Sequence, residues 1–560
     1  MLKKILISFF SVVLIFVIVY FSLNTKIIKF KVIDENITKR QVKLKKKYLS
    51  KPKVNLDNNF IIEGWYKDKD FINEWIFEAD KVYKNITLYA KVLETINANI
   101  YRDDQLVSNF IYLNKEEYQP LRLGYKFLGL YFDNDFNEPL DYELTKSDEN
   151  ITLYEKWELE ERNIPIMTID IDKDINDVNR DDYNDAKVSL FNLEEEYELD
   201  NLDAHFRGRG NSSWEKFDKK GFKLKFDKKQ SLFGKAKNKH YALVAEGYDT
   251  TLTKNKVAYT LGAKVLSNIE YSTEAHLIDL YINKEYYGIY ILIEHRRVGK
   301  GRVDIESEYG EIDTGYLLEY DARAAVGNIE GIDYFTIPQL RHPFLVKYPK
   351  PKNYESKGNI TELEFRSQIF FIQSYLKEAL EALYSGDKEL IDQYFDIPSV
   401  VDMYILQEYI KNYDSGWSSQ YMYKKPGGKL YFGPPWDFDI TAGSNYFPGL
   451  KSFKGLYVSN NSSLQPIDHK NQMYISLMEN DWFIKLVKDR LIELEDEILE
   501  TIENIYKNIY TYNKSFHLNY LRWPDITDAK IDPANYLLEQ ELTEQWYYNR
   551  LDWLMNWARE

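Results

Sequence analysis

The sequence predicts an α+β fold: a two-lobed unit of roughly 400 residues behind a transmembrane helix and two small β-rich repeats. Three observations predict it. Strand-like segments crowd the stretch after Ile164, and helix-like ones follow from Glu362. Ahead of that unit, a set of identical residues recurs at a constant offset of 65 positions. At the N-terminus, Ile5 to Leu23 is an almost unbroken run of Ile, Leu, Val and Phe.

That first run follows Lys3 and Lys4 and matches the roughly 20 residues a membrane-spanning helix needs. No small-residue cleavage site follows it, since residues 20–24 read Tyr-Phe-Ser-Leu-Asn. Residues 1–24 are therefore expected to be an uncleaved signal anchor, with the bulk of the chain extracytoplasmic. Residues 25–55, rich in lysine and including Lys45, Lys46 and Lys47, read as a stalk. Gly64, Tyr66, Asp68 and Phe71 return as Gly129, Tyr131, Asp133 and Phe136. Asn85-Ile86-Thr87-Leu88-Tyr89 returns as Asn150-Ile151-Thr152-Leu153-Tyr154. So many identities at one offset point to a duplicated module, at 56–92 and 121–157. The pattern resembles the Listeria–Bacteroides repeat, which implies a spacer or adhesion role at a cell surface and no catalysis.

Composition excludes several functions. With 89 acidic against 73 basic residues the chain carries a formal charge of −16, so nucleic acid is not expected as a partner. Cysteine is absent, which removes disulfides, thiolate zinc sites and cysteine nucleophiles. The seven histidines are scattered and form no zinc-binding spacing. A metal, if used, should be a hard cation held by oxygen, Mg²⁺ or Mn²⁺.

From residue 160 to 560 the texture is that of a larger mixed domain. Pro165–Ile171, Ala204–Arg209 and Gly221–Phe226 read as strands. His276–Glu294 reads as two strands around a turn at Asn283-Lys284. Thr253 is placed to cap a helix running to Val265, and helical spacing recurs over 362–384 and 397–410. The stripe Trp546, Arg550, Trp553, Leu554 and Trp557 falls at helical steps and reads as core packing.

Two places carry chemistry. Arg207-Gly208-Arg209-Gly210-Asn211-Ser212 is a cationic glycine turn whose N–H groups can approach phosphate oxygens. Lys225, on the strand after it, could reach the same phosphates, although Lys219, Lys220 and Lys223 lie close by and Lys223 shares its face. Glu294 closes an apolar strand, where it could pair with such a lysine or touch a nucleotide. Further on, Asp414 and Asp437 stand 23 positions apart, with Asp439 two beyond. One carboxylate to take a hydroxyl proton and another to hold a metal is what phosphoryl transfer requires, yet in so acidic a chain that spacing alone decides little.

The neighbours decide more. Arg207–Trp214 with Lys219-Lys220 and Phe222–Lys225, Thr253-Lys254-Asn255-Lys256, Tyr287–Tyr290 with Glu294, and Gly315–Glu319 occur in one order. They are followed by Asn412-Tyr413-Asp414 and Gly433–Asp439. Together they resemble the spore coat protein H (CotH) kinase-like family over roughly residues 160 to 560. The resemblance implies an atypical protein kinase that moves phosphate from ATP, with Mg²⁺ or Mn²⁺, to Ser or Thr of a spore-coat or cell-surface protein. It further implies Asp414 as the catalytic aspartate and Asp437 as a metal ligand, with Asp439 contributing. Arg207, Arg209, Gly210, Asn211, Ser212, Lys225 and Glu294 would then serve the nucleotide. Two positions depart from the pattern. Ser419 stands where a second metal-binding Asn is expected, and Lys254 stands where relatives often carry Arg. A membrane-anchored surface scaffold that binds without transferring phosphate is the alternative, and a glycoside hydrolase using Asp414 and Asp437 is a more distant one.

Overall fold

The structure is a computed structural model. It describes residues 25–560 apart from 33–36, 45–46, 58, 78, 115, 117, 147, 149, 309–310, 351–361, 461–464 and 526–534. The chain divides into two compact units, 1–160 and 161–560.

The first unit is a seven-stranded sheet. Its strands are β1 (Thr25–Val32), β2 (Ile37–Leu44), β3 (Phe60–Tyr66), β4 (Ile86–Arg102), β5 (Gln105–Tyr112), β6 (Tyr125–Tyr131) and β7 (Ile151–Leu159). The 17-residue β4 joins the two copies of the repeat. Its first half pairs in parallel with β1, and its second half pairs in parallel with β7. The repeated residues make the same turn twice. Asp68 accepts the N–H groups of Ile72 and Asn73, and Asp133 accepts those of Asn137 and Glu138. Phe71 and Phe136 take left-handed φ values of 55° and 58°. Each meets the edge of its tyrosine, Tyr66 or Tyr131, at 5.5 Å.

Three expectations for this region are corrected. Residues 25–55 are not a bare stalk, because β1 and β2 lie in them. Along β1, Lys29 and Lys31 alternate with buried Ile28, Phe30 and Val32, and this period-2 pattern outweighs the lysine-rich composition. The membrane-spanning helix, and with it the membrane-anchored, extracytoplasmic placement, is not supported. Among the described residues no helix is long and apolar enough to cross a membrane. Ile5–Leu23 itself lies outside the described residues.

The second unit opens with a closed barrel, in the order β10-β11-β12-β14-β13-β8-β9. These are β8 (Ile166–Ile171), β9 (Asn184–Phe191), β10 (Leu199–Arg209), β11 (Gly221–Gln230), β12 (Asn238–Val244), β13 (Ala275–Ile282) and β14 (Glu285–Glu294). Phe206, Leu224, Phe226, Leu243 and Leu292 fill its interior. Asn283 and Lys284, both at positive φ, form the two-residue turn that suits the twist of the β13–β14 hairpin. A second sheet runs β16-β17-β15-β18-β19, from β15 (Tyr316–Tyr320), β16 (Tyr334–Phe335), β17 (Phe344–Tyr348), β18 (Gln420–Lys424) and β19 (Leu430–Phe432). The fold is thus mixed α/β with a closed barrel, which corrects the two-lobed α+β arrangement behind a transmembrane helix.

Helices share one buried core with this second sheet. The helix Asp481–Thr511 buries Phe483, Val487, Leu491, Leu494, Ile498, Ile502, Ile505 and Ile509, a stripe in steps of three and four that fixes which side faces the core. The helix Lys254–Lys264 is capped by a different group from the one the sequence suggests. Thr253 makes no side-chain cap bond, and the Asp249 carboxylate instead accepts the N–H groups of Thr253 and Lys254 at 2.8 and 2.9 Å.

The helix Ile397–Tyr409 carries Glu408, whose buried carboxylate accepts the N–H groups of Tyr457 and Val458. Arg550, fully buried in the helix Tyr536–Arg559, donates to Glu408 at 2.7 Å and to the carbonyls of Phe453 and Gly455. Replacing Arg550 with Met strands that buried carboxylate. The expected loss is about 3–5 kcal/mol in denaturant unfolding, and the double variant with Glu408→Gln should recover part of it.

Candidate functional site

A cleft of about 520 Å³ opens between the barrel's β10–β11 turn and the segments around Asp414 and Asp437. Arg209, Gly210, Asn211, Ser212, Asp414, Ser419, Asp437 and Asp439 all line it.

The Asp414 segment follows the helix Ile397–Tyr409 through Lys411, which has a φ of 51°. Asn412 shapes this turn: its Oδ1 accepts the Asp414 N–H at 3.1 Å, and its Nδ2 donates to Gln407. The Asp437 segment follows β19. It is laced to the first by Tyr413 N–H donating to the Ile440 carbonyl and Ala442 N–H donating to that of Ile410. Asp437 does not lie on a strand but on a turn at φ 67°. It shares the cleft with Asp439 while Phe438 is wholly buried. A non-glycine residue held at such an angle is strain of the kind kept at functional sites.

A chain of bonds reaches this turn from the barrel side. The Asp437 N–H donates to the Tyr259 hydroxyl at 3.1 Å, and the Phe438 N–H to Asn255 Oδ1 at 2.8 Å. Asn255 Nδ2 then donates to Glu246 Oε1 at 2.8 Å. Glu246 also lines the cleft, is 1% exposed and sits at φ 59°. Its other oxygen, Oε2, is buried without a hydrogen-bond partner. The sequence gives no hint of Glu246, because a lone Glu before a Gly carries no motif.

Electrostatics sets these carboxylates against each other. Burial, then Asp437, Glu246 and Asp414, hold Asp439 well above the ordinary carboxylate range. Burial lifts Asp437 as well, against the pull of Arg209. Burial, then Asp249, pushes Glu246 up to about 8. A carboxylate raised in the folded state destabilises the fold as pH climbs from its ordinary value to its raised one. Glu246→Gln removes that titration and keeps the acceptor for Asn255. The variant is expected to match wild type below about pH 4.5 and to become progressively more stable up to about pH 8, by a few kcal/mol. Unfolding midpoints across that range check it.

Such mutual repulsion is what a bound cation relieves. Among the described residues no three His, Asp or Glu side chains are gathered as a ready-made cage. A Mg²⁺-sized ion needs none, since one or two carboxylates, water and substrate phosphates ordinarily hold it. Asp437 and Asp439 could offer such an oxygen pair, and Ser419, at φ 61°, has a hydroxyl that donates to Asp437 at 3.3 Å. The donor set fits a hard divalent cation.

Cations face this acidic end. Arg209 lies over the Trp436 ring at 5.9 Å and Arg296 over the same ring at 4.3 Å. Arg296 also pairs with Glu319 at 3.5 Å. Behind them, on the barrel's outer face, burial and the guanidinium groups of Arg297, Arg207, Arg209 and Arg296 push Lys223 down to about 7. A cluster so rich in cations suits phosphate oxygens.

Other expected residues fall elsewhere. Glu294 turns away from the cleft, pairing with Arg302 at 3.0 Å and accepting from the Tyr271 hydroxyl. Its neighbours His295 and Arg296 line the cleft instead. Lys225 lies beyond the cleft, over Tyr183 at 5.9 Å. Arg207 is also outside, its guanidinium on the Arg180 carbonyl and over Tyr183. Of the two glycines, Gly208 has its N–H on the Asn179 carbonyl, and an added Cβ would lie 2.3 Å from Trp214. Gly208 therefore serves packing, and only Gly210, at φ 116°, forms the turn at the cleft.

A cleft holding paired carboxylates opposite guanidinium groups suits phosphate and metal together, and comparison with known proteins gives the family. The chain belongs to the CotH kinase protein family, whose profile matches residues 206–560. A kinase-like role follows from that membership. The Listeria-Bacteroides repeat domain matches residues 27–91, reaching back through β1. Two proteins of Evansella cellulosilytica match short stretches. One named "Putative membrane protein" is 30% identical over 105 residues, covering 18% of this chain and 16% of its own length. Another, named "Putative Gly-rich membrane protein", is 29% identical over 103 residues, covering 17% and 12%.

Proposed function

We propose that this protein transfers the γ-phosphoryl group of ATP to a Ser or Thr hydroxyl of another protein, of the spore-coat or cell-surface kind. The observation that carries the reading is the gathering of Asp414, Asp437, Asp439 and Arg209 in one cleft. In this reading Asp414 takes the proton of the acceptor hydroxyl. Asp437 and Asp439, with Ser419, hold Mg²⁺ or Mn²⁺, which when bound neutralises phosphate charge. Arg209 and Arg296 steady the phosphates, with the Gly210–Ser212 turn offering N–H and hydroxyl donors. Of the two lysines on β11, Lys223 is the one crowded by Arg207, Arg209, Arg296 and Arg297, and neither lines the cleft.

The acceptor oxygen forms a bond to phosphorus as the bond to the nucleoside diphosphate breaks. This needs positioning and charge neutralisation more than covalent chemistry from the protein. Purified protein with labelled ATP and either metal is expected to label itself or a coat-like acceptor. Absence of any transfer under both metals would overturn the reading. Ser419, uncharged where a second metal ligand is expected, favours one alternative, binding without transfer. That alternative predicts metal-dependent ATP binding with no labelled product.

A further inference from the structure

Asp414 has one side-chain partner recorded among the described residues, and it comes from a distant part of the chain. His469 Nδ1 lies 3.3 Å from Asp414 Oδ1 and 3.2 Å from the Tyr413 carbonyl oxygen. A carbonyl oxygen only accepts, and an ionised carboxylate only accepts. A bare Nδ1 lone pair facing both would be repelled, so the chemistry of its surroundings assigns the proton to Nδ1.

The ring is fixed as firmly as its partners. It stacks on Trp417 at 4.8 Å and 8°, and lies against Tyr413 at 4.1 Å with the two rings tilted by 39°. Its segment is clasped to the Asp414 turn from several sides. Gly416 lies so close that an added Cβ would stand 2.4 Å from the Lys470 carbonyl carbon. Asn471 donates to the Ser415 carbonyl at 2.7 Å, and the His342 ring is 2.8 Å from the Asp468 carbonyl through Nε2. His342 also meets the edge of Trp417.

We propose that His469 is a positioning residue for phosphoryl transfer. Its Nδ1–H holds Asp414 through Oδ1 and so presents Oδ2 to the acceptor hydroxyl. The inference rests on the transfer reading above and adds to it the group that orients the proton acceptor. A carboxylate free to rotate would meet the hydroxyl in the right pose only part of the time, so the loss should fall on the chemical step and spare nucleotide binding.

The test compares His469→Ala with His469→Asn, whose side-chain amide restores one N–H donor. His469→Ala is expected to lower kcat about 10- to 100-fold with KM for ATP nearly unchanged, and His469→Asn to recover part of that loss. A kcat within about twofold of wild type in His469→Ala would overturn the proposal. So would a proportional loss of ATP affinity with no rescue by Asn. Nitrogen NMR of the His469 ring needs no turnover. It should report the Nδ1–H tautomer in wild type and a changed signal in Asp414→Ala, whereas an Nε2–H tautomer sinks the positioning role. Wild-type protein that transfers nothing sinks the transfer reading instead, so the two failures are distinguishable.

Discussion

Asp437→Asn is expected to abolish metal-dependent ATP binding and at the same time to make the ligand-free protein more stable. The two effects share a cause. Asp437 is buried near Asp414 and Asp439, and burial holds its folded pKa above the ordinary value near 3.8 in spite of Arg209. Ionising it in the ligand-free protein costs free energy that a bound cation would return. Asn has the same shape, keeps an oxygen for the Ser419 hydroxyl, and tolerates the φ of 67° better than most residues. The fold should therefore survive the change. Phosphoryl transfer should fall on the order of a thousandfold or more, since a metal clamp is worth several kcal/mol in the transition state. The sign of the stability change follows from linkage: a raised carboxylate costs stability above its unfolded pKa, so the gain grows as pH rises from about 4 and fades as pH falls back toward it. Calorimetric titration with ATP and Mg²⁺, beside melting midpoints at pH 4 and 7, reads both effects. Retained metal-dependent binding, or a variant less stable at neutral pH, would remove Asp437 from the metal site.

Asp414, Asp437 and Asp439 line one cleft, and each stands in a short motif that can be read from the sequence alone. Gly210 was legible for the same reason. What sequence could not supply is how far along a strand the cleft reaches. Lys223 and Lys225 share a face of β11, and alternation cannot say which one lies nearer the cleft. β14 ends at Glu294, which meets Arg302, and the irregular backbone beyond it brings both His295 and Arg296 to the cleft, a course that strand alternation does not predict. Glu246 and His469 reach the site through tertiary packing alone, one 191 positions before Asp437 and the other 55 after Asp414. Barrel closure was invisible for a related reason. It depends on the parallel pairing of β8 with β13, more than 100 residues apart, such as Ile166 with Asp279. In β1 the pattern was present and composition hid it, since lysines occupied the outward positions.

Asp414→Asn should give the opposite signature from Asp437→Asn: binding preserved, chemistry lost. The Asp414 N–H is anchored by Asn412, and its carbonyl accepts the N–H groups of Trp417 and Ser418, so the turn does not depend on the carboxylate. Neutralising Asp414 also removes one of the charges that raise Asp437 and Asp439. Those two should then ionise more readily, and affinity for Mg²⁺ with ATP should hold or improve slightly. An amide cannot take the acceptor's proton, so kcat should fall about 10²- to 10⁴-fold, the usual worth of a general base. The pairing with His469 sharpens the comparison. If His469 acts only by orienting Asp414, then His469→Ala should cost little further in the Asp414→Asn background, because residues that act as a unit are not additive. Two losses that simply multiply would mean that His469 acts by a route of its own. A variant that loses ATP affinity in step with kcat would make Asp414 a binding group and remove it as the proton acceptor.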